Sequence, residues 1–148
     1  MLLEKALVAG APARVVCLSS VTHRAGDASD WRAPLYSFSA SRRTYATSKL
    51  AMAVLAAEIT RRWGARPQRV VAIAVNPGAV NSEIWYRGQL SAPLETYAIR
   101  PLFSSLFLTS EQGAACSVAA ASEARFGDVA PGTYLCPYRT PASCAMPF

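Results

Sequence analysis

Apolar and polar positions alternate along this chain in blocks that predict strands separated by helices. Two runs, Arg14–Ser19 and Arg69–Val75, are continuously apolar at their centres and rich in β-branched residues, which is typical of strands buried on both faces. Gly132–Cys136 predicts a third, shorter strand. Apolar residues recur at three- and four-residue steps from Thr44 to Trp63 and predict a long helix, while a Thr-x-x-Gln capping signature predicts another over about Ser110–Ser122.

This alternation predicts an α/β fold built on a parallel sheet. The connecting segments carry weaker signals. Leu2–Val8 is typical of the last turns of a helix, Val21–Arg43 of a polar loop, and residues 79–108 of an irregular segment with scattered large apolar side chains.

Polar residues collect where the two long strands end. Ser19 and Ser20 close the first strand, Asn76-Pro77-Gly78 closes the second, and Tyr45 stands near the start of the helix between them. Because ligands of open parallel sheets bind outside the carboxyl ends of the strands, we expect these residues to border one site.

Tyr45 and Lys49 are four positions apart on the predicted helix, so their side chains rise from the same face. An ammonium group beside a phenol favours the phenolate, which makes the phenol a proton donor that is usable near neutral pH. The pair is therefore a candidate acid–base group, although the same spacing occurs by chance on many surface helices.

Composition narrows the class of protein. With 148 residues, 52% hydrophobic and 16% charged, the chain has the length and apolar content of one globular domain. The net charge of +6 is spread out rather than gathered in a run, which favours a solvated basic surface over a nucleic-acid partner. Four cysteines without a Cys-x-x-Cys and a single histidine indicate buried thiols and predict no metal site.

The sequence contains neither a signal-peptide core after Met1 nor an apolar stretch long enough to span a bilayer. We therefore expect an intracellular, cytoplasmic protein. The alternative is association with a membrane surface through the apolar residues 99–108.

Three motifs together resemble the second half of a short-chain dehydrogenase/reductase: Val-Val-Cys-Leu-Ser-Ser at 15–20, Tyr-Ala-Thr-Ser-Lys at 45–49 and Asn-Pro-Gly-Ala-Val-Asn-Ser at 76–82. Segments 11–16, 19–23 and 111–114, and the long gap between Ser20 and Tyr45, are similar to the retinol-dehydrogenase-like and WW-domain-oxidoreductase-like branch. The resemblance implies that residues 1–148 form a partial NAD(P)-binding domain. This would be the C-terminal portion of a Rossmann-like doubly wound sheet, with about three strands and flanking helices.

The resemblance also implies a role for each matching residue. Ser20 would hydrogen-bond the substrate oxygen, with Ser19 as the close alternative. Tyr45 would act as general acid or base, and Lys49 would assist it and hold the nicotinamide ribose hydroxyls. The loop that faces the nicotinamide would contain Pro77, Gly78 and Val80, with Ser82 near the carboxamide or phosphates. His23 lies just after the strand, where a loop hydrogen bond is a simpler expectation than a catalytic role.

The implied cofactor is NADP or NAD, and only the resemblance favours NADP. The implied substrate is a small apolar alcohol, aldehyde or ketone, held against Trp85, Tyr86, Leu90 and the run 99–108. Ordinary packing is the alternative explanation of those apolar residues.

No Gly-x-x-x-Gly-x-Gly or Gly-x-Gly-x-x-Gly, the turn that holds the cofactor's pyrophosphate, occurs in these 148 residues. We therefore expect an oxidoreductase that needs a missing N-terminal half, and little activity from the chain alone. The alternative is a truncated, non-catalytic remnant that acts through protein–protein contact. In either case the first strand would present an exposed edge for pairing, with homo-oligomers as one outcome.

Overall fold

A computed structural model describes residues 13–29, 41–66, 69–82 and 99–136 of the chain. Within these residues the strands are β1 (Ala13–Leu18), β2 (Val70–Val75) and β3 (Tyr134–Leu135). The α-helices are α1 (Ser41–Trp63), α2 (Arg100–Leu106) and α3 (Ser110–Ser122). Short 3-10 helices occur at Val21–Ala25 and Ala124–Phe126. The helix predicted over Leu2–Val8 lies outside the described residues.

The three strands form one parallel sheet in the order β1-β2-β3. The register of β1 on β2 runs from Ala13 opposite Val70 to Leu18 opposite Val75, so the carboxyl ends of the two strands meet at the same edge. The predicted α/β fold with a parallel sheet is confirmed, and it is a partial Rossmann-like arrangement of three strands with flanking helices.

Helices cover both faces of the sheet, and as a consequence every residue of β2 is buried. On one face, Ala72 and Ala74 pack with Ala53 and Ala56 of α1. On the other, the larger side chains of β2 pack against α3 and the segment that follows it, in a cluster of Val71, Ile73, Val75, Ala120, Phe126 and Leu135. The strand is apolar without alternation because neither face meets water.

Helix α1 turns a different face to the sheet from the one that its large apolar residues suggest. Val54 is 40% exposed and Leu55 is 46% exposed, whereas Ala46, Ala53 and Ala56 are buried. Alanines let the helix axis approach the sheet closely, so the buried stripe consists of small side chains rather than bulky ones.

Residues 79–108 are not irregular throughout, because α2 occupies Arg100–Leu106. Pro101 stands in its first turn, where the missing N–H costs nothing, and Phe103 stacks on Phe107 with ring centroids 4.5 Å apart. The capping box predicted for α3 is confirmed, since Thr109 and Gln112 cap each other's backbone N–H groups.

Arg14 of β1 connects the sheet to the end of α3 through hydrogen bonds. Its Nη1 donates to the carbonyl oxygens of Ala120, Ala121 and Glu123 at 3.3, 3.2 and 2.6 Å, which satisfies groups that a helix end otherwise leaves to water. Arg14→Met is expected to lower the free energy of unfolding by about 1–2 kcal/mol. Urea denaturation measures this, with Arg14→Lys as the control that keeps the charge but not the guanidinium fork. A lysine variant as stable as the parent would contradict the role assigned to the guanidinium group, because charge alone would then suffice.

Candidate active site

The two serines at the end of β1 have different environments. Ser19 is only 3% exposed, and its hydroxyl donates to the Lys49 carbonyl oxygen at 2.7 Å, so this side chain anchors α1 to β1. Ser20 is partly exposed and caps the 3-10 helix Val21–Ala25, with its Oγ accepting from the Thr22 N–H at 3.4 Å. A hydroxyl that accepts one hydrogen bond still has its own proton to donate. Ser20 is therefore the serine whose hydroxyl can meet a ligand.

The start of α1 lies directly against this turn. The Asp27 N–H donates to Thr47 Oγ1 at 3.1 Å. A Cβ atom on Gly26 would stand 2.8 Å from the Ala46 carbonyl oxygen and 2.9 Å from Leu50 Cβ. Only a glycine permits this approach, which sets the distance between the serine turn and the helix that carries Tyr45.

Tyr45 and Lys49 share one face of α1, as their spacing predicts. Lys49 Nζ lies 5.4 Å from the centroid of the Tyr45 ring, and it also donates to the Leu18 carbonyl oxygen at 3.2 Å. Tyr45 is 48% exposed, so its phenol is accessible. An ammonium group has three N–H donors, and the bond to Leu18 occupies one of them.

The loop after β2 is shaped by a buried side chain. Asn76 is 7% exposed, and its Oδ1 accepts from the Gly78 N–H at 3.0 Å, while the amide group lies 3.6 Å from Cys136 Sγ. Gly78 has a φ of 83°, a conformation that side-chain-bearing residues rarely adopt. Because the Ser19 N–H donates to the Val75 carbonyl oxygen, this loop starts beside the serine turn.

Val80 fixes the far side of the loop. It forms a parallel bridge with Leu108, supported by hydrogen bonds from the Leu108 N–H to the Ala79 carbonyl and from the Asn81 N–H to the Leu108 carbonyl. Ser82 is partly buried and lies two residues beyond Val80. The loop is therefore held at both ends, by Asn76 and by Leu108.

Gly113 of α3 leaves the space that Val80 fills. A Cβ atom at this position would stand 2.3 Å from Val80 Cγ2. Gly113→Ala is expected to displace the loop and to lower the free energy of unfolding by about 1–3 kcal/mol, because overpacking outweighs the better helix propensity of alanine. Pairing it with Val80→Ala removes the clash, so urea denaturation of the four proteins of this double-mutant cycle should show strong coupling. Additive effects would exclude the clash as the cause.

The structure thus brings Ser20, Tyr45 and Lys49 to the carboxyl edge of β1, with the loop Pro77–Val80 following the adjacent strand. Of the predicted apolar wall, Trp85, Tyr86 and Leu90 lie outside the described residues. The run 99–108 does join the site's border through the bridge from Leu108 to Val80.

Sequence analysis did not assign three features of this edge: the Asn76 side chain as the support of the Gly78 turn, the Leu18 carbonyl as a partner of Lys49, and the burial of His23. The asparagine had a signal, since an Asn before Pro-Gly often bonds the backbone two residues on. The other two features depend on tertiary contacts.

One curated protein resembles part of this chain. It is the short chain dehydrogenase/reductase dpfgH of Gibberella zeae, 32% identical over 78 residues. The match supports membership of the short-chain dehydrogenase/reductase superfamily. It covers 53% of this chain and 21% of the relative, so the chain spans about a fifth of the length of the relative it matches. No family model matches the chain.

In the part of the chain that the structure describes, none of the helices combines the length and the apolar character that a bilayer crossing requires. Burial raises the pKa of the Cys17 thiol beneath the serine turn, so this sulfur is a poor nucleophile.

Proposed function

We propose that the chain carries the carbonyl-activating, hydride-transfer part of an NAD(P)-dependent oxidoreductase of the short-chain dehydrogenase/reductase type. The single observation that carries the proposal is the placement of the Tyr45–Lys49 pair of α1 against the Ser20 turn at the carboxyl edge of the sheet. The partial match to dpfgH supports the reaction class.

In this proposal Ser20 donates its hydroxyl proton in a hydrogen bond to the substrate oxygen. Tyr45 gives that oxygen a proton during reduction and takes it back during oxidation. Lys49 lies beside the Tyr45 ring and binds the nicotinamide ribose with the donors that Leu18 does not engage. The nicotinamide, when bound, supplies and accepts the hydride.

The loop Pro77–Val80 would hold the nicotinamide ring. Two observations favour this role. Gly78 has no side chain, so its backbone can approach a flat ligand closely. The contacts of Asn76 and Leu108 keep the turn in place. The preference for NADP rests on the resemblance to the retinol-dehydrogenase-like branch.

The substrate class we propose is a small apolar alcohol, aldehyde or ketone. Helix α2, which adjoins the loop through Leu108, presents Leu102 and Leu106 with 51% and 67% of their surface exposed. When an alkyl chain covers such side chains, apolar surface is removed from water and the complex is stabilised.

Cofactor binding by the 148-residue chain should be weak and should not depend on the adenosine end, since no glycine-rich turn is present in this sequence to hold the pyrophosphate. Nicotinamide mononucleotide in its reduced form and NADH should therefore bind with similar dissociation constants in a fluorescence titration. Much tighter binding of NADH would show that the chain holds the pyrophosphate by other means.

Turnover tests the function itself. We expect no substantial reduction of a medium-chain aldehyde by the chain alone with NADH or NADPH. When the chain is joined to a glycine-rich nucleotide-binding half from a short-chain dehydrogenase, we expect turnover that Ser20→Ala lowers. A fusion that folds and binds the cofactor but shows no turnover would contradict the oxidoreductase assignment.

A second candidate function is partner binding through the outer edge of β1. Among the described residues β1 is one of the two edge strands of the sheet, and Leu18 on it is 51% exposed. Unpaired strand edges recruit other strands. An inactive fusion together with a concentration-dependent dimer of the chain, measured by sedimentation, would favour this candidate.

A further inference from the structure

We infer that His23 is a positioning residue that fixes the direction of the Ser20 hydroxyl through the Ser20 carbonyl group. The inference deepens the proposed function and rests on it for the role of Ser20. Its structural content, a histidine that holds one serine in one orientation, can be tested without turnover.

The contact between the two residues is short and buried. His23 is 3% exposed, and its Nδ1 lies 2.6 Å from the Ser20 carbonyl oxygen. A carbonyl oxygen can only accept, so the proton of this bond must be on Nδ1. The backbone N–H of His23 donates to the same oxygen at 3.0 Å. One residue therefore holds the Ser20 carbonyl with two donors.

Ser20 is consequently fixed on both sides of its Cα atom. On the N-terminal side, the Ser19 N–H donates to Val75 and the Ser19 hydroxyl donates to Lys49. On the C-terminal side, the carbonyl is held by His23. The direction of the Cα–Cβ bond is thereby set. Rotation about that bond then places the hydroxyl oxygen, and the hydrogen bond from the Thr22 N–H favours one rotamer.

Packing alone is a poor explanation for a histidine here. The ring lies against Tyr134 with centroids 4.9 Å apart, in an arrangement that a phenylalanine ring would also make. Nε2 is buried without a hydrogen-bond partner among the described residues. Such a group destabilises the fold, and a phenylalanine at this position would avoid that cost. The group that distinguishes the histidine from an apolar ring is the Nδ1–H that reaches Ser20.

Two substitutions separate the donor from the ring. His23→Asn places a side-chain N–H close to the position of Nδ1 and gives up most of the ring. His23→Phe keeps the ring and removes the donor. The readout is the set of Hα–Hβ couplings of Ser20 in the NMR spectrum of the 148-residue chain, since they report whether the side chain holds one rotamer.

We expect unaveraged couplings in the parent and in His23→Asn, and averaged couplings in His23→Phe. A single Ser20 rotamer in a folded His23→Phe protein would overturn the inference, because packing would then suffice. Thermal unfolding of both variants accompanies the measurement, to show that each is folded.

The parent protein provides a test that needs no variant. The chain has one histidine, so a long-range proton–nitrogen spectrum shows the signals of one ring. The inference requires the proton to reside on Nδ1, and a ring protonated at Nε2 or averaging over both tautomers would overturn it. If the couplings behave as expected while Ser20→Ala leaves the turnover of the fused protein unchanged, the proposed role of Ser20 fails and the positioning contact stands.

Discussion

Tyr45→Phe in the fused, active protein is expected to lower the turnover number by about 10²–10⁴-fold, the range that a positioned general acid or base supplies. The substitution removes only the phenolic oxygen. Tyr45 is 48% exposed, and Lys49 Nζ, 5.4 Å from the ring centroid, can keep its contact with a phenyl ring. The fold and its stability should therefore be unchanged, and the loss should appear in turnover with little change in the binding of NADPH.

Ser48→Ala is the matched control for this variant. Ser48 lies in the same turn of α1 between the two proposed residues, is exposed, and donates to the Tyr45 carbonyl oxygen at 2.7 Å. Its removal deletes a hydroxyl from the same helix without touching the Tyr45 phenol, so turnover should stay close to that of the parent. Turnover retained by Tyr45→Phe would refute the assignment of the acid, whereas equal losses in both variants would indicate a general disturbance of the helix.

Sequence patterns predicted the parts of the fold that depend on local chemistry. Strand β2 is a continuous apolar run because both of its faces are covered, and the Thr109–Gln112 capping box begins α3 where its spacing requires. The same prediction of full burial is wrong for β1, which is only partly buried and leaves Leu18 51% exposed. The buried face of α1 was not predictable in the same way. A search for large apolar side chains selects Val54, whereas the sheet selects alanines that let the helix approach.

In the candidate site, too, the sequence predicts what motif order determines and does not predict what tertiary contacts determine. The order of the motifs gathers Ser20, Tyr45 and Pro77–Gly78 at one sheet edge, because the carboxyl ends of parallel strands meet there. The sequence alone leaves Ser19 and Ser20 as alternatives, since the difference between them is a hydrogen bond to the carbonyl of Lys49 in another element. Tertiary contacts of this kind carry no short-range signal.

The largest effect on stability is expected at Thr60 of α1, which is 4% exposed and completes the hydrogen bonding of β2. Its hydroxyl donates to the Ala72 carbonyl oxygen at 2.9 Å and accepts from the Ala72 N–H at 2.8 Å. The described strand β3 pairs only with Ala74 and Val75, so at Ala72 the threonine takes the place of a neighbouring strand. Thr60→Val keeps the shape of the side chain and leaves both buried backbone groups without a partner. Since each such group costs about 1–3 kcal/mol, we expect the free energy of unfolding to fall by roughly 2–4 kcal/mol.

Thr60→Ser separates the hydroxyl from the methyl group. It keeps both hydrogen bonds and loses one buried methyl, so urea denaturation should show a loss of about 1 kcal/mol, well below that of the valine variant. A smaller loss in the valine variant than in the serine variant would mean that the methyl packing, not the hydroxyl, supports the strand.

Strand β2 leads directly into the Asn76–Gly78 turn. Weakening the strand at Ala72 should therefore also increase the mobility of the loop proposed to face the nicotinamide. Faster hydrogen exchange of the Gly78 N–H in Thr60→Val than in Thr60→Ser would reveal that connection.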